Sequence, residues 1–340
     1  MNKAGRTKDS VSFPRRNALQ RLGALTVGTT AAALGLPVQA QAYPARPLRI
    51  VVPWPAGGLV DVAARQLGTR LQAAMGQPVV VENRVGAGGS IGADLVAKAP
   101  ADGHTLLFST SALTINVAMQ TKLPFDLLRD FEPVCLLAHA PSVLVVGPSI
   151  NPTSVQELVA MARARPGQLS YGSAGVGSPA HFAGELLKSL QKLFIVHIPY
   201  TGAPAAMNDQ LAGRLDFQFA NAAVALPQVR AGKVRALAVT GSQRFAALPQ
   251  VPTMVEAGVA NFEADQWLGL LAPRGLPGAV QSRLSADCQK ALAQDDLRAA
   301  LVQAGMTAAP AGTSASFDAA LKAELAKWTV VVKAANIKPE

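Results

Sequence analysis

Two stretches of this chain carry the residue types of an anion-binding mouth. At Val51-Val52-Pro53-Trp54-Pro55-Ala56-Gly57-Gly58 and at Tyr171-Gly172-Ser173-Ala174-Gly175-Val176-Gly177-Ser178, a short strand pattern runs into glycines and straight on into a helical pattern. Such a turn aims free backbone N–H groups and the positive end of a helix at its neighbour, which seats an anion without any charged side chain. Two of them imply a cleft. In the first, Pro53 and Pro55 stiffen the strand exit, Gly57 and Gly58 let a ligand come close to the backbone, and Trp54 walls the cleft. Asp61 reads more naturally as a group that orders the loop than as one that touches an anion, since two carboxylates repel. The second turn adds the hydroxyls of Ser173 and Ser178, with Pro179 at a first-turn helix position and His181 beyond it.

Other chemistries lack their patterns. Ser173 with His181 is the one Ser/His pair that merits naming, and no orienting acid accompanies it, so a secreted serine hydrolase is the rival class. Gly86-Ala87-Gly88-Gly89-Ser90-Ile91-Gly92 has the wrong spacing for a dinucleotide fingerprint, and neither a phosphate loop nor a nucleophile elbow occurs. His104, His139, His181 and His197 are scattered, and Cys135 and Cys288 lie far apart, so no metal-ligand spacing is present and no cofactor is expected. The two cysteines leave a disulfide and a pair of buried free thiols both open.

The elements that must position these residues follow from periodicity. Residues 48–52 are a compact apolar strand, and Val62, Ala63, Leu67, Leu71 and Met75 recur at helical spacing until Gly76. Strands at 79–81 and 105–108 alternate with a helix carrying Ile91, Leu95, Val96 and Ala99. A second unit starts near Pro141. It has strands at 143–146, 169–173, 195–199, 216–219 and 234–240, a helix capped by Ser154 with Glu157, and another entered at Pro179. After a strand at 267–271 the chain turns helical over 277–293 and 317–332. Alternation of this kind predicts an α/β layer architecture with a largely parallel sheet. About 300 residues beyond the first 42 also exceed what one core usually organises.

Those first residues read as an export signal. Lys3, Arg6, Lys8, Arg15 and Arg16 precede an apolar stretch over 22–36 and the small residues Ala40-Gln41-Ala42, which places cleavage near Ala42. Arg15-Arg16-Asn17-Ala18-Leu19 resembles a twin-arginine signal with Ala18 where that motif prefers Phe, and the ordinary secretory route stays open. The leader holds six Lys or Arg and one Asp, so the formal +10 of the whole chain falls to about +5 beyond it. That modest charge steers acidic solutes. Without basic runs interleaved with aromatics, it excludes nucleic acid as a partner class.

Taken together, several motifs resemble the Bug, or TctC, family of periplasmic solute-binding proteins of tripartite tricarboxylate transport systems. They are Tyr43-Pro44, the run from Arg46 to Pro53, the Pro-Ala-Gly-Gly-Leu-Val-Asp loop, Val81-Glu82-Asn83-Arg84 with Gly86-Ala87-Gly88-Gly89, the run from Ala99 to Leu107, and His197-Ile198-Pro199-Tyr200-Thr201-Gly202. The resemblance spans nearly all of the chain beyond the leader. It implies a two-lobed, type II venus-flytrap α/β fold, each lobe a mixed β-sheet flanked by helices, with residues 43–140 plus 268–340 as one lobe and 141–267 as the other. Hinges near 140–142 and 265–268 would close the lobes on a small organic carboxylate. The ligand-lining residues it implies are Trp54, Pro55, Ala56, Gly57, Gly58 and Asp61 on one side. On the other are Ser173, Gly175, Gly177, Ser178 and His181, with Ser111, Tyr200, Thr201 and Gly202 at the border. It further implies no catalysis, a monomer in the periplasm, and delivery to membrane subunits of a transporter; a ligand sensor is the alternative on the same fold. Val60 stands where many relatives carry Thr or Ser, which argues against transferring a ligand's identity.

Overall fold

The computed structural model describes residues 43–119 and 122–337; the leader read from residues 1–42 lies outside the described residues. The chain begins with β1 (Leu48–Val52), α1 (Leu59–Met75), β2 (Val79–Asn83), α2 (Ser90–Ala97), β3 (Thr105–Thr110), α3 (Ser111–Met119), α4 (Leu127–Asp130) and β4 (Phe131–Ala140). It continues through β5 (Ser142–Val146), α5 (Val155–Ala164), β6 (Ser170–Ser173), α6 (Pro179–Gln191), β7 (Val196–Pro199), α7 (Ala203–Leu211), β8 (Phe217–Asn221), α8 (Ala222–Arg230) and β9 (Arg235–Val239). Last come β10 (Gln266–Pro273), α9 (Gly278–Leu292), α10 (Asp295–Gln303), β11 (Thr307–Ala308) and α11 (Ser314–Ala335).

Local chemistry explains the main elements. Helix α1 buries Val60, Ala63, Ala64, Leu67, Leu71 and Met75 along one face, and Gly76 ends it in the left-handed region at φ 68°. Helix α5 begins where the Ser154 side chain accepts from the Glu157 N–H at 3.2 Å. The strands then assemble into two mixed sheets in the orders β11-β4-β10-β3-β1-β2 and β7-β6-β8-β5-β9. This is the two-lobed α/β architecture expected from the sequence. The expectation of a largely parallel sheet gives way, however: β10 runs antiparallel to β3 and β4, and β5 antiparallel to β8 and β9. Strand β10 enters the first sheet on its return from the second, so it arrives from the opposite end to β1 and β3. Strand β4, ten residues long, is an element that the sequence pattern did not announce.

Each sheet has its own apolar centre. Leu48, Ile50, Leu67, Leu106 and Phe108 anchor the first, and Tyr171, Phe182, Phe217 and Phe219 the second. The chain passes from the first sheet to the second at Pro141 and returns ahead of Gln266, which pairs with Ala140, so the two crossing segments run side by side. Helix α11 joins both halves as well. Phe317 and Leu321 pack with Trp267 and Leu271 of the first half, whereas Trp328 and Val331 enter the second core, Trp328 meeting Phe182 edge-on at 5.4 Å. The resemblance implies residues 268–340 in the first lobe alone; the C-terminal end of α11 instead packs in the second core. Burying a side chain of this size contributes about 1.5–3 kcal/mol, so the end of α11 is a substantial part of the second core.

Helix α9 lies along β4, where Gln281 donates to the Pro133 carbonyl (2.7 Å) and Ser285 to the Val134 carbonyl (3.0 Å). One turn further on, Cys288 meets Cys135, both buried as free thiols. Hydrogen bonding between them, with burial, pushes the Cys288 thiol well up. Among the described residues no helix is long and apolar enough to cross a membrane.

Candidate functional site

The first glycine loop is held from beneath. Asp61, buried in the opening turn of α1, accepts from the Gly57 N–H, from Asn83 Nδ2 and from the Arg65 guanidinium, each at 2.9 Å. Asn83, the last residue of β2, also donates to the Trp54 carbonyl at 2.9 Å. The loop can turn this way because Gly57 sits at φ 76°, a region that penalises a side chain. The Arg65 hydrogen bond, joined by those from Gly57 and Asn83, draws the Asp61 carboxyl down to about 2. The carboxylate is therefore committed to the loop. Above it, α1 opens at Gly58 with no capping side chain, so the first-turn N–H groups face outward with the positive end of the helix behind them.

The second loop is tied to itself. The Ser173 hydroxyl donates to the Gly175 carbonyl (3.0 Å), accepts from the Gly175 N–H (3.1 Å) and lies 2.7 Å from His197 Nε2. Ser178 donates to the Gly175 carbonyl (2.7 Å) and accepts from the His181 N–H (3.3 Å), which caps α6. His181 Nδ1 in turn accepts from the Gly177 N–H at 3.3 Å, and its ring stacks on His197 at 4.0 Å. Accepting at Nδ1 places the proton of the neutral ring on Nε2. Burial pulls both imidazoles down to about 4, so the pair is neutral near pH 7. Below them, the Tyr171 hydroxyl donates to Glu185 at 2.7 Å, and Lys188 pairs with the same carboxylate at 2.6 Å.

Between the two loops lies a cavity of about 960 Å³, with a second chamber of about 560 Å³ beyond it. Gly58, Leu59, Ser178, Pro179 and Gln266 line both, so they form the neck. Of the residues expected at the site, Trp54, Pro55, Gly58, Gly177 and Ser178 line the main cavity, and Gly57 lines the second chamber. Asp61, Ser173, Gly175 and His181 line neither, because their polar groups are hydrogen-bonded into the loops they shape. Ser111 is buried between Thr110 and Ala112, which do reach the cavity, and Ala56 is exposed outside it. Tyr200 turns its hydroxyl to Asp209 (3.0 Å); Thr201 and Gly202 lead into Ala203 and Pro204 on the second chamber.

Sequence reasoning missed a third wall. Ala87 and Gly88 line the main cavity from a turn in which Gly86, Ala87, Gly88 and Gly89 all have positive φ. At Gly88 a Cβ would stand 2.9 Å from Asn116 Nδ2, which donates to the Ala87 and Gly88 carbonyls at 3.1 Å each. The density of glycine there was a usable signal. Thr110, Met119, Lys122 and Gln266 gave none, since only the pairing of β10 with β3 and the course of α3 bring them together. Among the described residues, Thr110 Oγ1 and Trp54 Nε1 are buried without a hydrogen-bond partner, and both residues line this cavity. Lys122 is the one cationic side chain among the described wall residues, and it is exposed.

Residues 63–337 match the profile of the family TctC, described as "Tripartite tricarboxylate transporter family receptor". The chain belongs to the TctC family. Protein BugT of Bordetella pertussis is 36% identical over 324 residues, 95% of this chain and 99% of BugT. Two solved structures from Rhodopseudomonas palustris are also similar. Rpa4515 with adipate is 35% identical at a TM-score of 0.73, over 88% of this chain and 100% of that one. MatC with bound malate is 32% identical at a TM-score of 0.70, over 85% and 100%. TctC proteins are periplasmic solute-binding receptors and not enzymes. The hydrolase reading falls with that assignment, and the geometry agrees: the Ser173 hydroxyl is buried, sits beside His197 and not His181, and is turned into its own loop.

Proposed function

We propose that this chain is an exported receptor that captures a small carboxylate-bearing solute between its two lobes and hands it to membrane subunits of a tripartite tricarboxylate transporter. The observation that carries this reading is the opening of α1. Its uncapped N-terminus meets the same cavity as the buried, unpartnered Thr110 Oγ1 and Trp54 Nε1. Three kinds of donor thus belong to residues that border one cavity, which suits a carboxylate. Adipate in Rpa4515 and malate in MatC, both held by relatives with this fold, support the ligand class.

Magnitudes explain why two lobes are needed. A helix terminus contributes about 0.3–2 kcal/mol to holding an anion, whereas micromolar affinity corresponds to about 8 kcal/mol. The remainder must come from contacts on both lobes. Closure about residues 140–142 and 265–268 assembles them, with 43–140 and most of 268–340 moving against 141–267. A ligand held equally in open and closed forms would shift nothing, so ligand binding must favour the closed form.

Thermal-shift screening of mono-, di- and tricarboxylates tests the reading, because a ligand that binds only the folded state raises the melting temperature by mass action. At least one acid is expected to do so and to shrink the molecule in small-angle scattering; stabilisation by none of them would overturn the proposal. Export is tested separately. The protein recovered from periplasm should begin near Tyr43 and run as a monomer.

A further inference from the structure

We infer that the solute carries its charge at one end only: a monocarboxylate on an uncharged, apolar body of about aromatic-ring size. This rests on the carboxylate reading above and concerns the rest of the ligand. The cavity wall beyond the mouth of α1 is built from Trp54, Leu59, Val60, Met119, Val176 and Pro179, all apolar at the surface they present. The benzo edge of Trp54 lies against Gly89, where a Cβ would come within 3.2 Å of the indole. An indole in the wall favours a stacked or apolar partner.

The polar groups on the same wall are few and mostly engaged. Asn116 Nδ2 is shared among the Ala87 and Gly88 carbonyls and Ser90, and Ser178 serves Gly175 and the cap of α6. Gln266 is neutral. Thr110 Oγ1 and Trp54 Nε1 remain as donors, enough to complete one carboxylate alongside α1. A second carboxylate in this wall would lose water with little counter-charge to replace it, because among the described wall residues there is no arginine and the one cation, Lys122, is exposed to solvent. Val60 sharpens the point. It sits two residues into α1, beside the seat, and offers methyl groups there in place of a donor.

Isothermal calorimetry on the full exported chain with matched probes decides this. Benzoate is compared with terephthalate, hexanoate with adipate, and benzoate with benzamide. The expected result is that each monoacid binds at least about tenfold tighter than its diacid and that benzoate outbinds benzamide by a similar factor. Diacids that bind as tightly as the monoacids, or tighter, would overturn the inference while leaving the carboxylate seat intact. Benzamide equal to benzoate, or no binding by any acid, would overturn the seat as well. A variant adds an independent readout. Val60→Thr should narrow the monoacid preference, and an unchanged ratio of monoacid to diacid affinity in that variant would overturn the part given to Val60.

Discussion

The two glycine loops look alike in sequence and differ in what closes them. At α1 the carboxylate of Asp61 works from below, tying Gly57, Asn83 and Arg65 together, and the helix end above it is uncapped. At α6 the cap is the loop's own Ser178, and the support below is a neutral, stacked histidine pair. The first mouth is left available to an anion. The second is already satisfied by its own side chains. Under the proposed function, this asymmetry would let the lobe carrying α1 retain the ligand while the other closes.

The largest separation between the loops should come from pH. His181 and His197 have folded values depressed to about 4 from an ordinary 6.5, so below that ordinary value the unfolded chain takes up protons that the folded chain refuses. Stability should therefore be full above pH 6.5 and fall as pH drops from about 6.5 to about 4. The loss is on the order of 3 kcal/mol for each ring, at no more than about 1.4 kcal/mol per pH unit per ring. Asp61 acts in a different window. Its folded value of about 2 lies below an ordinary 3.8, so its contribution is present above pH 3.8 and is lost between there and about 2. Urea unfolding from pH 7 to pH 4 should show a slope that flattens when His181 and His197 are both replaced by Gln. A slope unchanged in that variant would remove the histidines from the account.

A second test converts one loop into the other. Gly58→Asp places a capping carboxylate on α1, where the backbone is already extended at φ −76° and ψ 170° and a Cβ would meet little besides the Pro55 carbonyl at 3.2 Å. The variant should fold at least as stably as the parent and lose about 100-fold in affinity for its carboxylate, about 2.7 kcal/mol. Retained affinity in a folded Gly58→Asp variant would move the anion away from α1.

How much of this was visible in the residues depends on how local each feature is. The strand, loop and helix at 48–75 were legible because apolar spacing and Gly76 mark them, and the loop-ordering role of Asp61 followed from the repulsion between carboxylates. Strand β4 was not legible. Glu132, Pro133 and His139 interrupt any alternation, and the strand is buried on both faces by partners far away in the chain. The same holds for Thr110 and Gln266, which converge through the antiparallel pairing of β3 with β10. The sequence pairs His181 with Ser173, and its stacked partner His197 reaches it only because β7 lies beside β6.

Asp61→Asn probes the stronger support with a smaller change. Asparagine keeps one acceptor for Gly57 or Asn83 and loses the charge that pairs with Arg65. Arg65 is half exposed, which screens the pair, so the expected cost is about 2 kcal/mol, below that of breaking a fully buried ion pair. Urea midpoints at pH 7 measure it, and the acid loss between pH 3.8 and 2 should vanish in the variant.

The mildest effect belongs to the second loop. Ser178→Ala removes the α6 cap and the bond to the Gly175 carbonyl, for an expected cost of about 1 kcal/mol. The Gly177 N–H stays with His181 Nδ1, so the loop keeps its course and carboxylate affinity should fall by less than about threefold. If the two mouths instead shared the anion equally, Ser178→Ala would weaken binding as much as Gly58→Asp does. Calorimetry on the two variants side by side therefore measures the asymmetry itself, with the ratio of their losses as its size.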